Sequence, residues 1–456
     1  VLLLLLGTTG ASADVLFDVY HVAISPDGTK VVGSQGGDSI VGMTRNLETG
    51  ELTYVDAASG ENFGGNLAYG SMVAFAQNNT TVFGVVNGGN AIRQFEFSSS
   101  GLSRIKDWRN NLDGITGLVS PLTVTVVDNN LYVKVQSGLL TFAVSGDGSL
   151  TYLQLTAGSG TSDEPVADPT HHYLYDIQSD GLVRWSRDTT TGLLGTKEVV
   201  TTSAGPNVID LAFSPDGTDL YGVNPNVGVL HWTVSGATAT LAETVGKDVT
   251  PGLNGAWSLA VTPDGKEVVV TGQQDYALSV FSRDIDSGSL TQAQVFFDGA
   301  DGVDGLNYAA SVVVSPDGKS IYVAAPHDNT LGVFSRDPSS GSVTYLQAYP
   351  KDAEGAERVR TVTLSAAGNV FQGRVVSPTG GGACESHVPV LVQMRRANGS
   401  WASLWSGYTK DDGTYRGRIR GWTPGRYRAK VTERRNVGPL GVKCLEATSP
   451  ILKRAG

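Results

Sequence analysis

The residues whose types and spacing could do chemistry fall into three groups. The first is Asp298-Gly299-Ala300-Asp301-Gly302-Val303-Asp304-Gly305, three carboxylates at intervals of three with glycines that let the backbone fold around an ion. Calcium takes six to eight hard oxygens from carboxylates and carbonyls, so Asp298, Asp301 and Asp304 are candidate calcium ligands. EF-hand spacing is absent, and a solvated glycine-rich connecting loop accounts for the same residues. The second group is His327 beside Asp328, where a neighbouring carboxylate could tune an imidazole for acid/base work. Arg358, with Arg360 near it, could clamp an anionic oxygen. Ordinary loop polarity and a domain junction are the competing readings of this group.

The third group is basic. Arg416, Arg418 and Arg420 alternate along one expected strand, and Arg426, Arg428 and Lys430 along the next, separated by Gly421-Trp422-Thr423-Pro424-Gly425. Period-two alternation puts each trio on one face. A hairpin with 420 opposite 426 would bring 418 to 428 and 416 to 430, all six charges sharing a face, with Tyr415, Ile419, Tyr427, Ala429 and Val431 turned to a core. Like charges placed opposite one another are destabilising, so this face points to an anionic partner such as a polysaccharide or cell-envelope polymer. Docking onto an acidic surface of the same chain, or a solvated face with counterions, stays open beside it. Other signatures are missing: there is no G-x-S-x-G, H-E-x-x-H, phosphate-cradling G-x-x-x-x-G-K-[ST] or C-x-x-C. His171-His172 reads as an exposed turn, and His21 and His231 read as structural residues of strands.

The elements that must position these groups follow from composition and repetition. Of 456 residues 58 are glycine, only 3 are Met and 2 are Cys, and 17% are charged. That balance excludes a helical bundle, and 40% hydrophobic content excludes a disordered chain. Charge is split: 15 Lys/Arg stand against 5 Asp/Glu from Thr361 on, and 18 against 39 before it. Acidity overall and an exported chain argue against a nucleic-acid partner. The apolar run of residues 1–6 and Ala11-Ser12-Ala13 read as a signal peptide over 1–13, truncated at its N-terminal end. Secretion to the periplasm or outside the cell would make Cys384 and Cys444 a disulfide pair. No stretch reaches the roughly 20 apolar residues of a transmembrane anchor.

Val22-Ala23-Ile24-Ser25-Pro26-Asp27-Gly28 returns as Leu211-Ala212-Phe213-Ser214-Pro215-Asp216-Gly217, as Leu259-Ala260-Val261-Thr262-Pro263-Asp264-Gly265 and as Val312-Val313-Val314-Ser315-Pro316-Asp317-Gly318. Blurred copies at 72–79, 122–129 and 166–172 fill the gap. Pro-Asp-Gly suits a tight turn, with Pro fixing φ and Gly accepting positive φ. Each copy continues through a strand such as Ile321-Tyr322-Val323-Ala324 to a hairpin around Gly50, Gly101, Gly148, Gly192, Gly236, Gly288 or Gly341. Seven repeats of four short strands predict an all-β, seven-bladed β-propeller over 14–360, with a small β-sandwich over 361–456. Seven complete repeats leave only Asp14 to Tyr20 as a possible closing strand, so closure by that strand and closure by packing without strand exchange both stay open. Loops between blades and between second and third strands then share one face, and that face is acidic, with Asp38, Asp113, Glu164, Asp275, Asp298 and Asp328 on it.

Phe281-Ser282-Arg283-Asp284 with Gly288-Ser289-Leu290-Thr291, and Ser315-Pro316-Asp317-Gly318 with Ile321-Tyr322-Val323, resemble seven-bladed propellers of the lactonase type. The resemblance covers about residues 17–360 and implies fold; for activity it implies lactone hydrolysis in some members. Val370 to Val376, Asp412-Gly413-Thr414-Tyr415 and Gly425-Arg426-Tyr427-Arg428-Ala429 resemble transthyretin-like or carboxypeptidase-regulatory-like sandwiches. The expectation drawn from all of this is a secreted binding or scaffold protein, holding a ligand at the channel face and an anionic polymer at the basic domain. The alternative is a lactonase-type hydrolase acting at the channel mouth with His327, Asp328 or Arg358.

Overall fold

The structure, a computed structural model, describes residues 19–349 apart from 36–38, 60–71, 87, 100, 159–163 and 203–206. It also describes 357–454 apart from 359–360, 368, 377–387, 397–398, 411–412, 420–422, 432–433, 438–441 and 445–446. The expected leader, Cys384, Arg420 and Asp38 therefore lie outside the described residues, and so does the expected disulfide. Two compact units divide the chain, Phe17–Tyr349 and a second containing Pro350–Gly456. No helix among the described residues is long and apolar enough to cross a membrane.

The first unit consists of seven sheets of four consecutive strands, spanning 19–59, 73–109, 123–157, 166–201, 210–246, 256–297 and 311–349. Within each, neighbouring strands pair antiparallel in chain order, and among the described residues no strand is exchanged between the first and last blades. Sequence explains the layering. Second strands such as Thr81–Val86, Glu267–Gly272 and Ser320–Ala325 are buried at every position, because blades cover both of their faces. Fourth strands such as Leu150–Ala157 alternate, TYLQLTA, because only one face is covered. In the Pro-Asp-Gly turns Gly28, Gly217, Gly265 and Gly318 hold φ between 67° and 75°, which side chains other than glycine rarely adopt.

The blades are tied by arginines at one repeated position, the end of the third strand. There the backbone N–H of residues 45, 97, 144, 187, 234, 283 and 336 donates to the residue after the preceding turn. In four blades the residue is Arg, and its guanidinium reaches into the blade before it. Arg187 takes Asp128 at 2.9 Å, Asn130 at 2.8 Å and the Tyr132 hydroxyl at 2.7 Å. Arg283 takes Asp216 at 3.1 Å, Asp219 and the Tyr221 hydroxyl, while Arg336 takes Asp264 at 2.8 Å and Glu267. Arg45 of the first blade reaches the last, to Asp317 at 2.9 Å and Ser320 at 3.0 Å, and the Tyr322 hydroxyl donates to the Gly50 carbonyl at 2.7 Å. A planar fork with five donors is suited to such multiple acceptors. These contacts close the ring through side chains.

In the second unit, one sheet holds Thr361–Val362, Ser365–Ala367, Val370–Val376 and Thr414–Arg418. Another holds Pro389–Arg395, Trp401–Tyr408 and Gly425–Val431, with Ala447–Thr448 and Leu452–Arg454 at its edge. Phe371, Val375 and Tyr415 of the first meet Val390, Val392, Tyr427, Ala429 and Val431 of the second in one apolar core. This is a β-sandwich, and it corrects the expected basic hairpin. Thr414–Arg418 pairs with Val370–Val376, with Arg416 opposite Gln372. Gly425–Val431 pairs instead with Pro389–Arg395, with Arg428 opposite Gln393. Each strand turns its aromatic residues to the shared core, so the two cationic rows point away from it in opposite directions rather than sharing a face.

The closing contact yields a test. Arg45 is buried, with 1% of its side chain exposed, whereas Asp317 keeps 32%. Breaking a fully buried pair costs about 3–5 kcal/mol, so partial exposure of one partner places Arg45→Ala below that range, at about 2–3 kcal/mol. Urea unfolding followed by tryptophan fluorescence should show that loss; a change below about 0.5 kcal/mol would mean that the ring is closed by apolar packing alone.

Candidate functional site

The inner strands Val19–Ile24, Val73–Phe75, Thr123–Val127, Val166–Ala167, Asp210–Phe213, Ala256–Val261 and Ser311–Val314 line a central cavity of about 800 Å3. Aligning the repeats on their turns gives one equivalent position at the head of these strands, where the inter-blade loops enter the channel. It is occupied by His21, Met72, Thr123, Glu164, Asp210, Ser258 and Ser311. Four of these side chains accept a backbone N–H from the next blade. Val73 donates to His21 Nδ1 at 3.4 Å, Leu259 to Asp210 Oδ2 at 2.9 Å, Val312 to Ser258 Oγ at 3.3 Å and Val22 to Ser311 Oγ at 3.4 Å. An inner strand lies at the edge of its sheet and turns alternate N–H groups away from its ladder, so an acceptor there meets a structural need. The identity of the acceptor is then free to carry chemistry.

Three members of this ring are ionisable. His21 Nε2 lies 3.5 Å from Glu164 Oε1, joining the first blade to the fourth across the channel. Burial holds the His21 imidazole down at about 4, so it is neutral near pH 7. Because Nδ1 accepts from Val73, the proton of that neutral ring resides on Nε2 and faces Glu164. Burial raises Asp210 to about 6, against the opposing hydrogen bonds of Leu259, Ser258 and Leu211. A carboxylate beside a fixed N–H donor and a second carboxyl group titrating near neutrality are the parts of an acid/base pair. Trp257, Ser258 and Ser311 share the cavity wall.

The expected loop-face residues assemble differently. Asp298, Asp304 and Asp328 bring carboxylate oxygens within 4.8 Å of one another, and Asp301 is not among them. The reason is apolar: Val303 and Leu306 are buried in the core between these blades, which pins the loop and leaves Asp301 exposed at φ 52°. Asp328 enters the cluster from the loop between Ser320–Ala325 and Thr330–Arg336. Backbone N–H groups of Leu306 and Asn307 hold Asp298 at 3.1 Å and Asp328 at 3.0 Å. Burial, then the Asp298 charge, raises Asp328 to about 7; burial also raises Asp298 and Asp304. Three close oxygens could hold a cation of the calcium kind.

His327 stacks on Tyr308 with ring centroids 4.2 Å apart, and neither His327 nor Asp328 lines the channel cavity. Arg358 belongs to the second unit, where Glu357–Arg358 runs parallel to Val442–Cys444. His171 sits in a turn, as expected, bonded to Asp128 at 2.9 Å. The sequence puts Glu164 on the loop face and His21 in a structural strand position, and nothing in the residue types around Asp210 singles it out. The signal that finds them is the residue immediately before each repeated apolar strand, which reads His, Asp, Ser and Ser ahead of Val22, Leu211, Leu259 and Val312.

Fold and channel together define an all-β propeller with a polar ring at the mouth of a central cavity. Residues 228–371 match the family described as lactonase, 7-bladed beta-propeller. A putative 6-phosphogluconolactonase from Bacteroides fragilis is similar at 18% identity and TM-score 0.54, over 71% of this chain and 96% of that one. The periplasmic gluconolactonase of Pseudomonas aeruginosa is similar at 20% identity and TM-score 0.53, over 72% and 94%. Hydrazine synthase from Kuenenia stuttgartiensis shares the architecture too, at 15% identity and TM-score 0.51, over 74% and 99%. No curated protein matches the chain. The propeller is similar to those of the lactonase type; likeness at these identities establishes fold, and fold alone does not establish chemistry.

The carboxylate cluster has a measurable signature. Folding raises Asp328 from roughly 3.9 in the unfolded chain to about 7, so its ionisation removes stability as pH rises through that window. Asp328→Asn should therefore raise the melting temperature at pH 8 and leave it unchanged at pH 3.5. Millimolar calcium should raise the melting temperature of the unsubstituted protein and not of the variant. Equal calcium responses would remove the cation reading.

Proposed function

We propose that the chain is a lactone hydrolase whose chemistry occurs at the head of the channel, among His21, Glu164 and Asp210. What carries the reading is their convergence on one cavity of about 800 Å3 within a lactonase-type propeller. In this scheme Glu164, held by the Nε2–H of neutral His21, removes a proton from water. The water oxygen then attacks the lactone carbonyl. The Ser311 hydroxyl, whose lone pair is engaged by Val22 N–H, can donate its proton toward the developing oxyanion. Asp210, a fraction of which is protonated near pH 6, gives a proton to the ring oxygen as the C–O bond breaks. Water and lactone yield one hydroxy acid, with no redox partner required. The scaffold reading finds less support, because the comparisons lean to hydrolases and acid/base groups converge in the channel.

We place the protein outside the cytoplasm, in keeping with its leader-like first 13 residues and the periplasmic neighbour. The sandwich then supplies an anchor to an anionic envelope polymer. That surface is the outer side of the sheet containing Pro389–Arg395 and Gly425–Val431. Arg395, Arg426, Arg428, Lys430 and Lys453 alternate there with the core residues of their strands. Arg428 lies 4.2 Å over the Trp401 ring and donates to Gln393 at 3.0 Å, giving a flat platform of aromatic and donor groups.

Two measurements test these assignments. Glu164→Gln should lower kcat on a sugar lactone by at least about a hundredfold with KM changed little. A variant with wild-type kcat would refute the channel assignment. For the anchor, Arg426→Glu with Arg428→Glu should abolish low-salt retention on an anionic polysaccharide column, whereas Arg416→Glu with Arg418→Glu, on the other sheet, should retain it. Loss in the second pair alone would move the surface to the opposite side.

A further inference from the structure

The propeller has 15 Lys/Arg between residues 17 and 349, and where they go bears on substrate class. Arg45, Arg187, Arg283 and Arg336 are spent between blades. Arg93, Arg104 and Arg109 share Asp107, and Lys106 pairs with Asp113 at 2.9 Å. Lys134 is buried against Asp176 at 3.0 Å, and Arg184 pairs with Glu198 at 2.8 Å. Lys197, Lys247 and Lys266 lie beside Asp180, Asp248 and Asp264. Lys30 donates to the Asn79 carbonyl at 2.8 Å, which leaves Lys319, beside the Pro-Asp-Gly turn of the last blade. None of the fifteen lines the central cavity. Nor can one be supplied from the propeller residues outside the described set, since 36–38, 60–71, 87, 100, 159–163 and 203–206 contain no Lys or Arg. Among the described residues, the charged groups that line the cavity are Glu164 and Asp210, beside His21.

We infer that the substrate is an uncharged lactone of the sugar type, and that the phosphorylated form of the same lactone is excluded. This rests on the hydrolase reading above and narrows it. A phosphate dianion entering this cavity would lose water and meet two carboxyl groups with no Lys or Arg of the propeller on the cavity wall to offset its charge, and like-charge juxtaposition is a strong means of rejection. A neutral polyol ring loses nothing of that kind. Its hydroxyls can meet Glu164, Asp210, Ser258 and Ser311, and its carbon face can lie on Trp257 and the valine-rich walls. The same charge pattern acts on the product. Ring opening adds water across the acyl C–O bond and leaves a carboxylate and a hydroxyl, so the cavity that admits a neutral ring repels the acid it becomes. Weak product inhibition follows.

The test compares purified full-length chain on glucono-δ-lactone and on its 6-phosphate, corrected for spontaneous hydrolysis. Expected is a kcat/KM at least about a hundredfold higher on the neutral lactone at low salt, with the gap narrowing at 0.5 M salt as charge is screened. Gluconate should inhibit only far above KM. Met72→Arg, at an equivalent ring position, should narrow the gap from the phosphorylated side, with Thr125→Lys as the substitute if that variant does not fold. Equal or faster turnover of the phosphorylated lactone would overturn this inference and leave the hydrolase reading standing. Hydrolysis of neither would overturn both.

Discussion

The propeller depends on closing a ring whose two ends, among the described residues, share no strand. Each blade can satisfy its own ladder, so what must be supplied is adhesion between blades and a last contact between the seventh and the first. Apolar faces supply most of the area, as the fully buried second strands show. Register is supplied by the arginines. A guanidinium at the end of the third strand fits the carboxylate of the preceding Pro-Asp-Gly turn, and Arg45 carries the same contact across the closure. Where the position holds Phe97, Val144 or Val234, the backbone hydrogen bond remains while the fork is absent. The cations of this acidic unit are thereby withdrawn from its channel, so a device of assembly also sets the electrostatics of the cavity.

A second constraint acts at the head of the inner strands. A backbone N–H there needs an acceptor from the neighbouring blade, and His21, Asp210, Ser258 and Ser311 provide one. Functional polarity at the channel mouth is thus built on a structural requirement. It also fixes details that chemistry can use: the hydrogen bond from Val73 selects the tautomer of His21, and that tautomer directs a proton at Glu164. Substitution at this ring therefore has a consequence for blade adhesion and, under the proposed hydrolase function, a second for turnover, so kinetic readouts must accompany melting curves.

Much of the architecture was legible in the sequence because it is written seven times. Pro-Asp-Gly turns, glycine hairpins and the contrast between EVVVTG and LTYLQLTA each state a local geometry, and repetition converts them into a ring. The site was legible only in part. The spacing points to Asp298 and Asp304, whose carboxylates do lie together, but the loop is pinned by Val303 and Leu306, Asp301 is left exposed, and Asp328 joins them from another hairpin. Partners across the channel, such as His21 and Glu164, are 143 positions apart and carry no mutual spacing signal. The basic rows were right as rows, since alternation is a local property. Their pairing was not, because a short loop between two strands does not oblige them to pair when each can complete a different sheet of a sandwich.

The central claim is that the lactone meets Glu164 and Asp210 at the head of the channel. Its most direct test is a crystal structure of the chain with a non-hydrolysable gluconolactam bound. The account predicts the ring seated in the central cavity, with its carbonyl within hydrogen-bond reach of Ser311 and its ring nitrogen facing Asp210. A lactam bound instead on the loops around Asp298 and Asp328, with the channel ring untouched, would contradict it.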